Sequence, residues 1–159
     1  MASAKRVKRV TMYKTSDSAL AGKAAVLERL RTRDLISIRQ NGTISAYPGA
    51  VEAPLEKDER EVVYKLLGYE LTDPETPLIA KRSGVVGGRA AVAGTRTPVW
   101  QIVAAVQSGV SQAELRMQMG LSDEQMRQAI GYFERNRDEI RRDLFDNGVR
   151  LRAAGGAAA

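Results

Sequence analysis

Arg127 and Gln128 stand side by side, Arg135 and Arg137 follow about two helical turns later, and Gly131 lies between them. An arginine presents a planar fork of donors that matches guanine or phosphate, and a glutamine amide matches the adenine edge. Those side chains therefore point to hydrogen bonding with DNA. Gln128 would read adenine, Arg127 guanine, and Arg135 and Arg137 would hold phosphates. Gly131 would let a helix backbone approach a groove closely, and Ser122 would sit at the helix start nearest the duplex. Glu124 falls on the same face, where it repels phosphate unless it accepts from cytosine. A second cationic set, Lys5, Arg6, Lys8 and Arg9, suits phosphates or a minor groove in the manner of a homeodomain arm.

Catalysis finds no comparable set. The chain has no Cys and no His, which excludes thiolate nucleophiles, thiolate zinc sites and an imidazole base. The carboxylates at 56–61 are neighbours on one helix surface rather than a pair facing across a cleft. Gly84, Gly87 and Gly88 lack the spacing of a dinucleotide fingerprint, and no Gly-Lys-Ser/Thr follows. Arg89 and Arg96, each after a glycine turn, suit loop fixing or a subunit contact. The expectation is a protein that is not an enzyme and carries no metal and no cofactor.

The elements that must position the DNA-facing residues are legible from their punctuation. Ser111-Gln112-Ala113-Glu114 and Ser122-Asp123-Glu124-Gln125 both read as capping boxes, with Gly120-Leu121-Ser122 as the turn between two helices. Two capped helices joined by a short glycine turn are the sequence form of a helix-turn-helix, whose second helix enters the major groove. On a helical wheel Met126, Ala129, Ile130 and Phe133 face inward, leaving Glu124, Gln128, Gly131 and Arg135 as the reading face with Arg127 on its flank. That helix is expected to continue through Ile140 and Leu144 to Gly148. Upstream, Thr97 caps a helix that starts at Pro98 and buries Val99, Ile102, Val103 and Val106.

The first half reads as a different module. A helix is expected over 18–31. A hairpin follows, formed by Leu35-Ile36-Ser37-Ile38-Arg39 and Thr43-Ile44-Ser45-Ala46-Tyr47 about Asn41-Gly42. Pairing about that dipeptide sets Ile38 opposite Ser45 and Ile36 opposite Tyr47. The tip carries Arg39, so the hairpin can serve as a DNA-contacting wing. A second helix over 54–68 starts at Pro54 and stops at Gly68. The proline-broken stretch 72–83 reads as a linker.

Charge is distributed in blocks. Residues 1–49 carry a net +7, residues 50–80 a net −5 and residues 81–159 a net +4, within a total of +6. A basic head and tail around an acidic middle suit an anionic partner contacted at both ends. No apolar run approaches the roughly 20 residues of a membrane helix, and no secretory signal pattern is present. A soluble, cytoplasmic protein without membrane contact is expected.

Five motifs, Gly87-Gly88-Arg89, Gly94-Thr95-Arg96-Thr97-Pro98-Val99, Gly109-Val110-Ser111, Gly120-Leu121-Ser122 and Glu139-Ile140, occur here in the order of a known family. Over residues 84–142 the chain resembles the domain-of-unknown-function-433 family. The resemblance implies a small homeodomain-like helical fold, usually dimeric, and frequent roles as antitoxins of the VapB type paired with PIN-type nuclease toxins.

The expected fold class is α+β and mainly helical: an N-terminal helix, β-hairpin and helix module over 1–71, the linker over 72–83, a helix-turn-helix domain over 84–148 and a flexible tail over 149–159. The expected function is sequence-specific binding of double-stranded DNA as a homodimer, for transcriptional regulation or antitoxin-type autoregulation. The alternatives are an architectural or excisionase-like factor of a mobile element, and an interaction module that inhibits a protein partner such as a toxin.

Overall fold

The computed structural model describes residues 13–14 and 20–149, and its chain divides into two units, Met1–Glu70 and Leu71–Ala159. Six helices and small antiparallel sheets among the described residues make it a mainly helical α+β protein. No helix among them is long and apolar enough to cross a membrane.

In the first unit the order is β1 (Tyr13–Lys14), α1 (Ala24–Thr32), β2 (Ile36–Ile38), β3 (Thr43–Ala46), a 3-10 turn (Pro48–Glu52), α2 (Lys57–Leu67) and β4 (Tyr69–Glu70). β3 lies between β1 and β2, antiparallel to both. The hairpin forms where expected, but its register is shifted by one residue: Ile38 pairs with Ile44 and Ile36 with Ala46. The reason is the turn. Arg39 N donates to Thr43 O and Gly42 N to Arg39 O, so Gln40 and Asn41 take the central positions and Gly42, at φ 85°, makes the bulge. Asn41 Oδ1 accepts from Thr43 N and holds that shape. The shift brings Ile36, Ile44 and Ala46 to one buried face.

α2 starts three residues later than its proline suggests. Glu56 is the N-cap, and Glu59 reaches back to the Glu56 N–H in a capping box. Glu59 is buried, and its carboxylate is paired with Arg29 of α1 and with Arg33. It lies below its usual pKa range, chiefly through the Glu56 N–H and then the Arg29 hydrogen bond. This acid and its arginines tie α1 to α2.

The second unit contains β5 (Ile79–Arg82), a 3-10 turn (Val86–Gly88), β6 (Ala91–Val92), α3 (Val99–Gln107), α4 (Gln112–Met119), α5 (Asp123–Arg135) and α6 (Arg137–Asp146). β5 and β6 pair antiparallel, Ile79 with Val92 and Ala80 with Ala91. Their apolar side chains join Ile102, Leu115, Tyr132, Ile140 and Leu144 in one core. Pro98 serves as the N-cap of α3 rather than its first residue, and Val99, Ile102 and Val103 are buried as the spacing predicts.

Two expectations fail here. The stretch 72–83 is not a linker: Asp73 and Thr76 are buried, Ile79 and Ala80 are core residues, and the unit begins at Leu71. Its prolines break helix but do not prevent packing. The long last helix is also broken, at Asn136, which has φ −134° and ψ 48°. Its amide donates to Tyr132 O and to the Asp73 carboxylate, so side-chain bonds take the place of continued helix. Residues 150–159 of the expected tail lie outside the described residues.

Candidate nucleic-acid interface

Local hydrogen bonds set the α4–turn–α5 pair. Ser111 Oγ accepts from Glu114 N at 3.1 Å and opens α4. Gly120 closes it in the left-handed region at φ 67°, with Leu121 N donating to Arg116 O. Ser122 Oγ then accepts from Gln125 N at 3.0 Å while Gln125 Oε1 accepts from Ser122 N at 2.7 Å, a reciprocal capping box. Leu121 and Met126, on either side of that cap, are both buried in the core. Both helix starts expected from sequence are therefore present.

The face expected to read DNA is occupied by the chain itself. Gln128 Oε1 accepts from Leu78 N at 2.7 Å, and its Nε2 donates to Glu124 Oε2 at 2.9 Å. Arg135 Nε donates to Asp73 Oδ2 at 2.9 Å, and Asn136 Nδ2 donates to the same oxygen at 3.1 Å. A Cβ on Gly131 would meet Thr76 Cγ2 at 3.6 Å, so this glycine faces the loop and not open solvent. Tyr132, to which the sequence reading assigned no role, is buried, bonded to Thr72 Oγ1 and donating to Glu139 Oε1. Burial raises its phenol pKa well above the usual range. The stretch 72–78 thus lies along the side of α5 that sequence reasoning assigned to a major groove. Gln128 and Arg135 are corrected from base and phosphate contacts to internal struts.

Asp73 is the hub of that contact. It is 6% exposed and accepts from Arg135, Asn136 and the Glu75 N–H. The Arg135 hydrogen bond, more than any other cause, holds its carboxyl below the usual range. No sequence signal marked it, because an Asp before Pro74 reads equally well as a loop residue.

The remaining candidates divide. Arg127 is exposed and forms an ion pair with Glu124 on its own helix. Arg137 lies over the Phe133 ring, 5.3 Å from its centroid. Ser122 is consumed by the α5 cap. Arg39 is exposed at the hairpin turn of the first unit. Lys5, Arg6, Lys8 and Arg9 lie outside the described residues. The side of α5 left open carries Asp123, Glu124 and Glu134 against Arg127, an acid excess that disfavours phosphate.

Arg89 has the loop-fixing role expected of it. The Gly87-Gly88 turn delivers its guanidinium to the Asp143 and Asp146 carboxylates of α6. Asp143 is buried with Oδ2 unpartnered, and burial pushes its pKa up against the opposing pull of Arg89. Among the described residues no group of His, Cys, Asp or Glu could hold a metal ion.

A family model for a protein of unknown function, DUF433, matches residues 79–133. That match opens on the first residue of β5 and runs to Phe133 in α5, so it takes in β5, which the resemblance over 84–142 leaves out. None of the curated proteins matches the chain. Among solved structures, a DUF433 member protein from Anabaena variabilis, determined at 2.00 Å, is 38% identical over 43% of this chain and 68% of its own, with a TM-score of 0.42. Through its hairpin and helix-turn-helix segment, this chain belongs to the DUF433 family.

Proposed function

We propose that the protein binds double-stranded DNA, as a transcriptional regulator or an antitoxin-type autoregulator, and does so mainly through phosphates. The observation that carries this reading is α6. Arg141 and Arg142 are exposed there, neither has an acid partner among the described residues, and both lie within one turn of Phe145, which is 76% exposed. Most other arginines near a carboxylate are paired with it, as Arg29, Arg33, Arg89, Arg116 and Arg135 are. Unpaired guanidinium groups are available to phosphate at no cost in broken ion pairs. Arg96 in the second unit and Arg39 at the hairpin turn add exposed cations, and the total charge of +6 favours the same partner.

This reading moves DNA contact away from the Gln128 side of α5. It expects modest sequence preference, because phosphate contacts position a protein without reading bases. A shift assay on fragments from the gene's own upstream region tests it at about 50 and about 200 mM salt. Affinity should fall steeply, and the R141E/R142E variant should bind weakly with a log–log salt slope shallower by about 2. If low salt yields no retarded species, or the variant keeps the wild-type slope, the reading is wrong.

A second reading, a module that binds and inhibits a partner such as a nuclease toxin, is favoured by Phe145. An exposed aromatic adds little to phosphate binding but anchors protein interfaces well. Phe145→Ala separates the two: it should leave the DNA salt slope unchanged and abolish stoichiometric capture of the co-expressed neighbouring gene product.

A further inference from the structure

We infer that a cavity of about 340 Å³ in the second unit, where the start of α3 meets the end of α6, binds a free mononucleotide. Val86, Arg89, Arg96, Trp100, Gln101 and Asn147 line it. The lining thus holds two cations and no acid, together with one indole and two carboxamides. Its volume is at the lower end of the range of about 300–1,000 Å³ for small-molecule sites, which suits one nucleotide and not a polymer. Arg141 and Arg142 do not line it, so this inference goes beyond the DNA reading and does not rest on it.

Each lining group serves a different part of such a ligand. Arg89 is committed, with its guanidinium paired to the Asp143 and Asp146 carboxylates. Arg96 is not: it is exposed, and its side chain has no hydrogen bond or ion pair among the described residues. Its donors are therefore free for a phosphate. Thr95 Oγ1 donates to Val92 O and accepts from Thr97 N, which fixes the turn that presents Arg96. Pro98, the N-cap of α3, offers no side-chain acceptor, so the positive end of that helix adds to the field of the two arginines. Trp100 is half-buried and packed against the core, and an indole held in this way is a rigid surface on which a base stacks. The Gln101 amide is exposed, has no side-chain partner among the described residues and matches an adenine edge. Asn147 spends its Nδ2 on Asp143 O at 2.7 Å, which leaves Oδ1 to accept from a base amino group. A plain aromatic carboxylate would use the ring and the cation but neither amide. Val86, at φ 42°, holds the wall in a conformation rare for a β-branched residue, the kind of backbone that recurs at ligand sites.

Trp100 is the single tryptophan of the chain, so its fluorescence reads the cavity directly. Titrating the full chain with adenosine monophosphate (AMP) should quench it saturably, with a Kd below about 1 mM. Adenosine and benzoate should each bind more weakly than AMP. Arg96→Ala should weaken AMP binding by about tenfold or more and leave adenosine binding unchanged, because adenosine offers Arg96 no phosphate. Gln101→Ala acts on the base instead and should weaken AMP and adenosine alike. Both side chains are exposed and unpaired, so thermal melts of the two variants should match wild type. The R141E/R142E variant should keep the wild-type AMP affinity, which separates failure of this site from failure of the DNA surface. No saturable quenching up to about 5 mM AMP overturns the inference. So does an Arg96→Ala variant that binds AMP like wild type or loses AMP and adenosine equally. Benzoate binding as tightly as AMP, or loss of AMP affinity in R141E/R142E, overturns it as well.

Discussion

Removing the Asp73 carboxylate should detach the 72–78 loop from α5, and the structure sets the size of the effect. Asp73 Oδ1 accepts from the Glu75 N–H at 3.0 Å, and Oδ2 accepts from Arg135 at 2.9 Å and Asn136 at 3.1 Å. A hydrogen bond to a charged group contributes about 1.5–3 kcal/mol. The three do not add, because Arg135 has 52% of its side chain exposed and water replaces its partner when Asp73 is lost. Asp73→Ala should therefore destabilise the second unit by about 2–3 kcal/mol, and Asp73→Asn, which keeps an acceptor for the Glu75 N–H, by about half that. Trp100, the one tryptophan of the chain, lies in α3, so its fluorescence during denaturant unfolding reports this unit. The pH dependence has a definite sign. The folded pKa of Asp73 lies below the ordinary 3.8, so its contribution is present above that pH and is lost as pH falls through the lower folded value. The difference between wild type and Asp73→Ala should thus be constant near neutrality and narrow below about pH 4. An unfolding free energy for Asp73→Ala within about 0.5 kcal/mol of wild type at neutral pH would refute the hub.

Three further outcomes follow from the same geometry. Arg89→Ala should cost about 3 kcal/mol at neutral pH, because it leaves the buried Asp143 charge uncompensated. Asp143 has a raised folded pKa, so stability is lost as pH rises through that value, and the Arg89→Ala deficit should grow between about pH 4 and about pH 7 in denaturant titrations. Gly120→Ala should cost about 1–2 kcal/mol purely from its left-handed backbone, since a Cβ there meets nothing within 4 Å; a larger loss in thermal melts would mean a packing role. Ser122→Ala should cost about 1 kcal/mol by removing the α5 cap, with amide exchange accelerated at residues 123–125 and unchanged in α6.

Punctuation residues explain why so much of the second unit was legible. A cap or a helix stop is decided within four or five residues, as Ser122 with Gln125 and Gly120 with Arg116 show, and such signals survive in any window of sequence. The hairpin was visible for the same reason. Its one-residue shift was missed because Asn41-Gly42 supports both a two-residue turn and the bulged turn that forms, and the choice depends on bringing Ile36 and Ile44 to one buried face.

The face of α5 was decided elsewhere. A helical wheel separates apolar from polar arcs, but it does not say which polar arc will be covered by polar groups from a distant part of the chain. Leu78 reaches Gln128 across 50 residues, and Asp73 reaches Arg135 across 62. Those contacts pair polar groups with each other, so they leave no hydrophobic pattern to detect. By itself the sequence determined where the helices begin, which glycines turn the chain and that the surface is cationic, because each of these follows from local conformation or composition. Tertiary structure alone decided that Gln128 and Arg135 bond to the 72–78 stretch and that Arg127 and Glu134 stay exposed, because that choice belongs to a loop folding back from dozens of residues away.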